Sequence, residues 1–304
     1  MTSFALTAGA HYVRSLNVFM AKSGERMKIF EILHLHIPPL IQTASPSWYQ
    51  QRTSFNILSV GSGTGEMDME IMKIIEKELQ KSDQGRRLKI FNRAIEPNEY
   101  SCSLYKAAIK NLPSPTKDDL TEFDICQQTF EEYKERQQRQ EAGSVKFDMV
   151  HFIHSIYHVD IKQALMHCFE KELRGQGVLV CVIAGQDLIY WVTSRQNSQW
   201  QGHGRDKGSE KYETAEEIIK IAKDKGWKHE IYSQENFIDV TEVFDKKSTE
   251  GNLLLDFLTH TVNFRETADK QQVKETLALI KELSIVKDGK RCGDKKESLV
   301  IIYK

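Results

Sequence analysis

Phe55-Asn56-Ile57-Leu58-Ser59-Val60-Gly61-Ser62-Gly63-Thr64-Gly65 decides the fold. Its first half is a short apolar run that reads as a buried strand. Its second half is a turn of spaced glycines, which lets backbone approach a ligand, and Gly65-Glu66-Met67-Asp68-Met69 then opens a helix. The next apolar run, Leu88-Lys89-Ile90-Phe91-Asn92-Arg93-Ala94-Ile95, ends on Glu96, a carboxylate suited to accept hydrogen bonds from both hydroxyls of a ribose. Strand, glycine turn, helix and acidic partner together point to a cofactor that carries an adenosine.

Departures from the dinucleotide pattern narrow the choice. That fingerprint needs G-x-G-x-x-G, with a third glycine for close helix packing beside a pyrophosphate. Here the spacing is Gly61-x-Gly63-x-Gly65, and Glu66 and Asp68 crowd negative charge into the place where a diphosphate would sit at a helix N-terminus. The triphosphate-binding pattern G-x-x-x-x-G-K-[ST] is absent. S-adenosyl-L-methionine, which has no phosphate and carries a sulfonium and an ammonium, suits acidic neighbours.

Composition agrees with a compact enzyme. At 304 residues and 40% hydrophobic content the chain can bury a large core, in one enlarged domain or a domain plus cap. A formal charge of -1, with acidic and basic residues interleaved, argues against a nucleic-acid partner. No apolar run reaches membrane-spanning length and His11 and Arg14 interrupt the N-terminal segment, so neither export nor a bilayer is expected, and the expected localisation is cytoplasmic. Five cysteines (Cys102, Cys126, Cys168, Cys181 and Cys292) without C-x-x-C spacing suit a reducing compartment. His151, His154 and His158 invite a metal test, but Met149 to Ile153 reads as a strand and lacks the helix-borne pair with an intervening glutamate, so no metal is expected.

The remaining pattern alternates. A helical stretch over 8–35 gives way at Pro38-Pro39 and a polar break at Ser45-Pro46-Ser47; then follow strand 55–60, helix 66–80, strand 88–95, helix 98–111, strand 121–125, helix 128–141, strand 147–153, helix 160–173 and strand 177–184. Such alternation builds an α/β fold with a parallel sheet covered by helices on both faces. The rhythm then breaks: 186–210, rich in Gln, Ser, Trp and Gly, reads as an elaborated loop around Tyr190, Trp191 and Trp200, followed by helix 214–225, strand 229–234, a helical block at 252–258, helix 267–283 and strand 298–303. The expected organisation is a single domain over 1–304, with a core of 50–185, 212–236 and 296–304 and a helical substrate cap from 1–45, 186–211 and 237–295.

Several separate blocks resemble the histamine N-methyltransferase family, whose members have the Rossmann-like sheet of class I S-adenosylmethionine-dependent methyltransferases. They are His11-Tyr12-Val13 with Glu25, Ile57 to Glu66, Glu96-Pro97, Phe147-Asp148 through Tyr157, and Asp256-Phe257-Leu258-Thr259-His260-Thr261-Val262-Asn263-Phe264. The last is the most specific, since cofactor binding does not demand it. The resemblance implies that Gly61 lies against the methionine part of the cofactor, that Gly63 and Gly65 also belong to the cofactor site, and that Glu96 holds the ribose. It further implies Ser101 near the adenosine, where the family has an amide, Thr129 and Phe130 beside the adenine, and Ile153 against the cofactor.

On the substrate side the resemblance implies that Glu25 holds an alkylammonium and that Tyr12, Tyr157 and Phe257 form aromatic walls. Four positions depart from the family: His154 replaces a glutamine, His158 a tyrosine, Leu16 a phenylalanine and Lys295 an asparagine. The implied activity is methylation of an imidazole nitrogen of a small amine by a monomer, with histamine as the first substrate. Alternatives are an imidazole dipeptide such as carnosine, suited to a Glu25 and Lys295 pair, or a catalytically silent cofactor-binding protein. Attack by a neutral nitrogen on a sulfonium needs no strong base, because an imidazole with a pKa near ~6.5 is mostly neutral at pH 7. Position then supplies the acceleration, with His154 or His158 as possible acceptors of the released proton.

Overall fold

The computed structural model describes residues 9–42, 52–82, 88–112, 121–139, 145–200 and 215–304, the side chains of Gln42 and 195–200 excepted. The polar break at Ser45-Pro46-Ser47, the Trp200 side chain and the stretch 201–211 lie outside the described residues. In chain order the elements are α1 (Ala10–Ser23), α2 (Glu25–Gln42), β1 (Ser54–Val60), α3 (Glu66–Leu79), β2 (Lys89–Ile95), α4 (Glu99–Lys110), β3 (Thr121–Cys126), α5 (Phe130–Arg139), β4 (Phe147–Ile153), α6 (Ile161–His167), β5 (Leu173–Ala184), α7 (Leu188–Trp200), α8 (Ala215–Asp224), β6 (Lys228–Asp239), α9 (Thr249–Thr259), α10 (Phe264–Thr267), α11 (Lys270–Glu282), β7 (Ser284–Lys287) and β8 (Lys290–Tyr303).

The sheet runs in the order β3-β2-β1-β4-β5-β8-β6, with β7 paired antiparallel to β8. β1 pairs in parallel with β2 on one side and β4 on the other, and β2–β3 and β4–β5 are parallel as well. Successive strands therefore step outward in one direction from β1 to β3 and in the other from β4 to β5. The reversal falls between β1 and β4, and ligands of open α/β sheets bind outside the strand ends at such a point.

By internal contacts the chain forms two units, one of Ile29–Ile183, Glu216–Tyr232 and Leu299–Lys304 and one of Met1–Lys28, Ala184–Ala215 and Ser233–Ser298. In the first, β1 from Phe55 to Val60 is buried on both faces, which its continuous apolar pattern requires. Its core joins Ile29, Leu33 and Ile37 of α2 to Ile57, Ile75 and Val180. In the second, Phe19 of α1, Leu188 and Val192 of α7, and Leu254, Leu255 and Leu258 of α9 share a separate core.

Several elements differ from the sequence pattern, among them β7, which was not expected, and β6 and β8, which are longer than expected. The first helical stretch divides at Gly24, whose φ of 62° ends α1 in the left-handed conformation. Pro38 and Pro39 lie inside the last turns of α2 instead of ending it. The carbonyls their rings leave without an amide partner belong to His34 and Leu35, both exposed, so water can serve them. Finally, 188–200 is the helix α7 where composition suggested a loop. Asp187 sits just before it and accepts hydrogen bonds from the Ile189 and Tyr190 amides, a start signal that the Gln and Ser content obscured.

Candidate active site

The turn after β1 is set by sterics and backbone hydrogen bonds. The Gly61 and Ser62 amides both donate to the Ile95 carbonyl, which ties the turn to the end of β2. Gly61, Gly63 and Gly65 have φ of 71°, 55° and 81°, a region that strains any residue with a Cβ. A Cβ on Gly61 would stand 2.4 Å from the Ser155 Cβ, and one on Gly65 would stand 2.2 Å from the Tyr105 ring. A Cβ on Gly63 would meet nothing within 4 Å. Two glycines are thus required by protein packing, whereas Gly63 offers a bare backbone to open space.

Glu96 closes this turn. Its carboxylate, 8% exposed, accepts hydrogen bonds at 2.8 Å from the Gly63 amide and at 2.8 Å from the Asn98 amide. Burial pushes its pKa above the usual carboxylate range, against the pull of those two amides. Asn98 caps α4 by accepting from the Ser101 amide, which places the buried Ser101 in the first turn of that helix. After β3, Thr129 and Glu132 form a reciprocal cap for α5: the Thr129 amide and hydroxyl donate to Glu132, and the Glu132 amide donates to Thr129 Oγ1. The Phe130 ring lies in the core against Tyr133 and Phe152, so backbone is what this segment offers a ligand.

The end of β4 supplies the other side of the turn. Ile153 packs on the sheet core, and His154 adopts φ 52° while its amide donates to the Val182 carbonyl. Tyr157 and His158 follow in a short 3-10 turn, both exposed, with their rings edge to face at 4.6 Å. Two polar atoms absent from the sequence reading also belong to this edge. Ser62 Oγ and Gln128 Nε2 are buried with no hydrogen-bond partner. Gln128 could have been found from its place just after a parallel strand, where such folds present ligand contacts.

The second unit gathers its own set. Tyr12 and Phe257 stack with centroids 6.4 Å apart, and Phe257 stacks on Phe19 at 4.4 Å; Leu16 packs on the same core. His11 Nε2 lies 2.9 Å from Asp256 Oδ2, which fastens α1 to α9 beside those rings. Asp256 also accepts from the Asn263 and Phe264 amides, so it holds the left-handed turns at His260 and Asn263. This gives the 256–264 block a structural reason to exist.

Glu25, 3% exposed, opens α2 and meets Lys295 at 3.3 Å. Lys295, 1% exposed, is also 3.4 Å from Asp187 and 3.2 Å from Glu297. Burial opposes the ammonium, yet the charges of Glu25, Glu297 and Asp187 outweigh it and raise the Lys295 pKa. Asp187 has three backbone amides as partners, from Ile189, Tyr190 and Lys296, and Gln234 donates to Glu297. Three buried carboxylates therefore share one buried cation. A cluster of that sign can take up a further positive charge.

A family model described as "Methyltransferase domain" matches residues 29–230. The chain belongs to this methyltransferase family. The curated histamine N-methyltransferase of Mus musculus is 26% identical over 96% of this chain and 94% of that one. Carnosine N-methyltransferase 2 of Gallus gallus is 30% identical over 94% of this chain and 84% of that one. A solved loganic acid methyltransferase with SAH shares the fold, with a TM-score of 0.53 at 10% identity, covering 91% of this chain and 93% of that one. The methyltransferase described here is a class I enzyme dependent on S-adenosylmethionine.

The residues fit that cofactor. Gly63 leaves backbone open, Glu96 presents a buried carboxylate beside it, and Ser62 Oγ and Gln128 Nε2 are polar atoms still to be satisfied. When bound, the cofactor supplies an electrophilic methyl on a sulfonium. Among the described residues no helix is long and apolar enough to cross a membrane.

Proposed function

We propose that this methyltransferase transfers a methyl group to an imidazole nitrogen of a small amine, with histamine as the first candidate. The observation that supports the reading is the buried Glu25, Asp187 and Glu297 cluster around the Lys295 ammonium, an acidic setting suited to an alkylammonium. In this reading Glu25 anchors the alkylammonium by a charge-assisted hydrogen bond, worth on the order of 1.5 to 3 kcal/mol. The faces of Tyr12 and Phe257 hold the ring. When bound, the cofactor would supply the methyl group, which the nitrogen lone pair would take while the electron pair of the carbon–sulfur bond stays on sulfur. The methylated ring would then shed its N–H proton to water.

A second reading has its own support. Lys295 stands on Glu25, and a substrate carrying both an amine and a carboxylate could divide those two charges between them. The 30% identical relative carries the name carnosine N-methyltransferase 2, and its name suits such a dipeptide. Incubation of purified protein with S-adenosylmethionine and either histamine or carnosine, read by mass spectrometry, separates the readings. A mass gain of one methyl on histamine supports the first and on carnosine the second. No methylation of either, with cofactor bound, removes both.

A further inference from the structure

Asp68 lies in the first turn of α3, three residues after Gly65, and its side chain is 1% exposed. Oδ1 accepts from Ser59 Oγ at 2.7 Å, and Oδ2 accepts from Asn92 Nδ2 at 3.0 Å and the Tyr105 hydroxyl at 2.9 Å. His151 Nε2 stands 3.6 Å from Oδ1, and neither ring nitrogen of His151 has a hydrogen-bond partner. Burial lowers the His151 pKa against the pull of Asp68, and burial raises that of Tyr105. All four neighbours are thus neutral, and among the described residues no lysine or arginine pairs with this carboxylate. An anion buried without a cation is costly, and an amide would make most of the same hydrogen bonds.

Its position gives the charge a use. Ser59 is two residues before Gly61, Asn92 is on β2 below Glu96, and the Tyr105 ring lies under Gly65, so Asp68 sits beneath the glycine turn. Its field reaches the cleft: after burial, the charge of Asp68 is a further cause of the raised Glu96 pKa. The methyl donor carries a positive sulfur, and the thioether left after transfer carries none. We propose that Asp68 is a specificity-determining residue that biases the cofactor cleft toward the cationic sulfonium over the neutral thioether product. In a low-dielectric interior a fixed carboxylate attracts the first and is indifferent to the second, so transfer itself weakens the hold on the cofactor.

The inference rests on the cofactor assignment above, and its test reads binding, not turnover. Asp68→Asn keeps an acceptor for Asn92 and Tyr105 while removing the charge. Isothermal titration with S-adenosylmethionine and with S-adenosylhomocysteine should show the former weakened about fivefold or more and the latter within about twofold of wild type. Asp68→Ala, if the amide is not tolerated, should shift the ratio the same way. Tyr105→Phe, which keeps the charge, should leave the ratio unchanged. Equal loss of both ligands in the Asp68 variants would make the residue a hydrogen-bonding scaffold alone, and no loss of either would make it inert; each result overturns the proposal. A wild-type protein that binds neither ligand would instead overturn the cofactor assignment, and this inference with it.

Discussion

Replacing Lys295 by Met should be among the most damaging single changes in the second unit. The ammonium, 1% exposed, is shared by Glu25, Asp187 and Glu297 at 3.3, 3.4 and 3.2 Å. Asp187 keeps its backbone amides and Glu297 its Gln234 donor, but all three carboxylates would lose the Lys295 charge. Removing one partner of a buried ion pair costs about 3–5 kcal/mol, because it leaves a charge uncompensated. At ~1.36 kcal/mol per tenfold, that is a loss of about two to nearly four decades in the folding equilibrium at pH 7. Chemical denaturation at several pH values measures it. The stranded carboxylates can take up protons, so the deficit should shrink as the pH falls from 7 toward 5. On the alkaline side the sign is opposite. Lys295 has a folded pKa above its ordinary 10.5, so its contribution is complete below that value and is lost as pH rises through the folded one. Wild type should therefore lose stability there in a way that Lys295→Met does not. A deficit below about 1 kcal/mol, or one indifferent to pH, would refute the claim that this cluster is held together by its cation.

Other outcomes follow from the cofactor edge. Gly65→Ala should cost about 2–5 kcal/mol, from the left-handed strain plus a clash with the Tyr105 ring, and lower the melting temperature of unliganded protein. Gly63→Ala should cost only about 1–2 kcal/mol in stability but weaken S-adenosylmethionine binding measured by titration. Glu96→Ala should reduce cofactor affinity with little effect on acceptor affinity, and Glu25→Gln should do the reverse in steady-state kinetics. Thr129→Ala removes the reciprocal cap of α5 and should cost about 0.5–2 kcal/mol in denaturation.

The cofactor half of the protein was legible because its signals are local. Burial on both faces makes β1 a continuous apolar run, and two of its three glycines are demanded by contacts with Ser155 and Tyr105. The parallel sheet was equally accessible from alternation, but its strand order was not. Of the charge cluster only the Glu25 and Lys295 pair was expected, and Asp187 and Glu297 were not. Lys295 sits in Asp294-Lys295-Lys296-Glu297, a run that reads as an exposed end, and its buried partners at 25 and 187 are far away in sequence. Period-two burial of Lys295, Glu297 and Leu299 on one face of β8 was the available signal, masked by the charges themselves. Likewise α7 reads as a loop by composition, since its packing on α9 through Leu188 and Val192 involves few residues of the helix. Asp68 was read as a charge that repels a diphosphate, and its hydrogen bonds to Ser59, Asn92 and Tyr105 show how that charge is held in the interior.

The central claim is that a nitrogen of an imidazole ring takes the methyl group. Supplying S-adenosylmethionine labelled with carbon-13 in its methyl group, together with histamine or carnosine, and following the reaction by carbon-edited proton NMR tests it directly. The account predicts a new N-methyl signal correlated with imidazole ring protons, lost in Glu96→Ala. Label appearing on the aliphatic amine, or remaining on the donor with both acceptors although the protein binds it, would contradict the account.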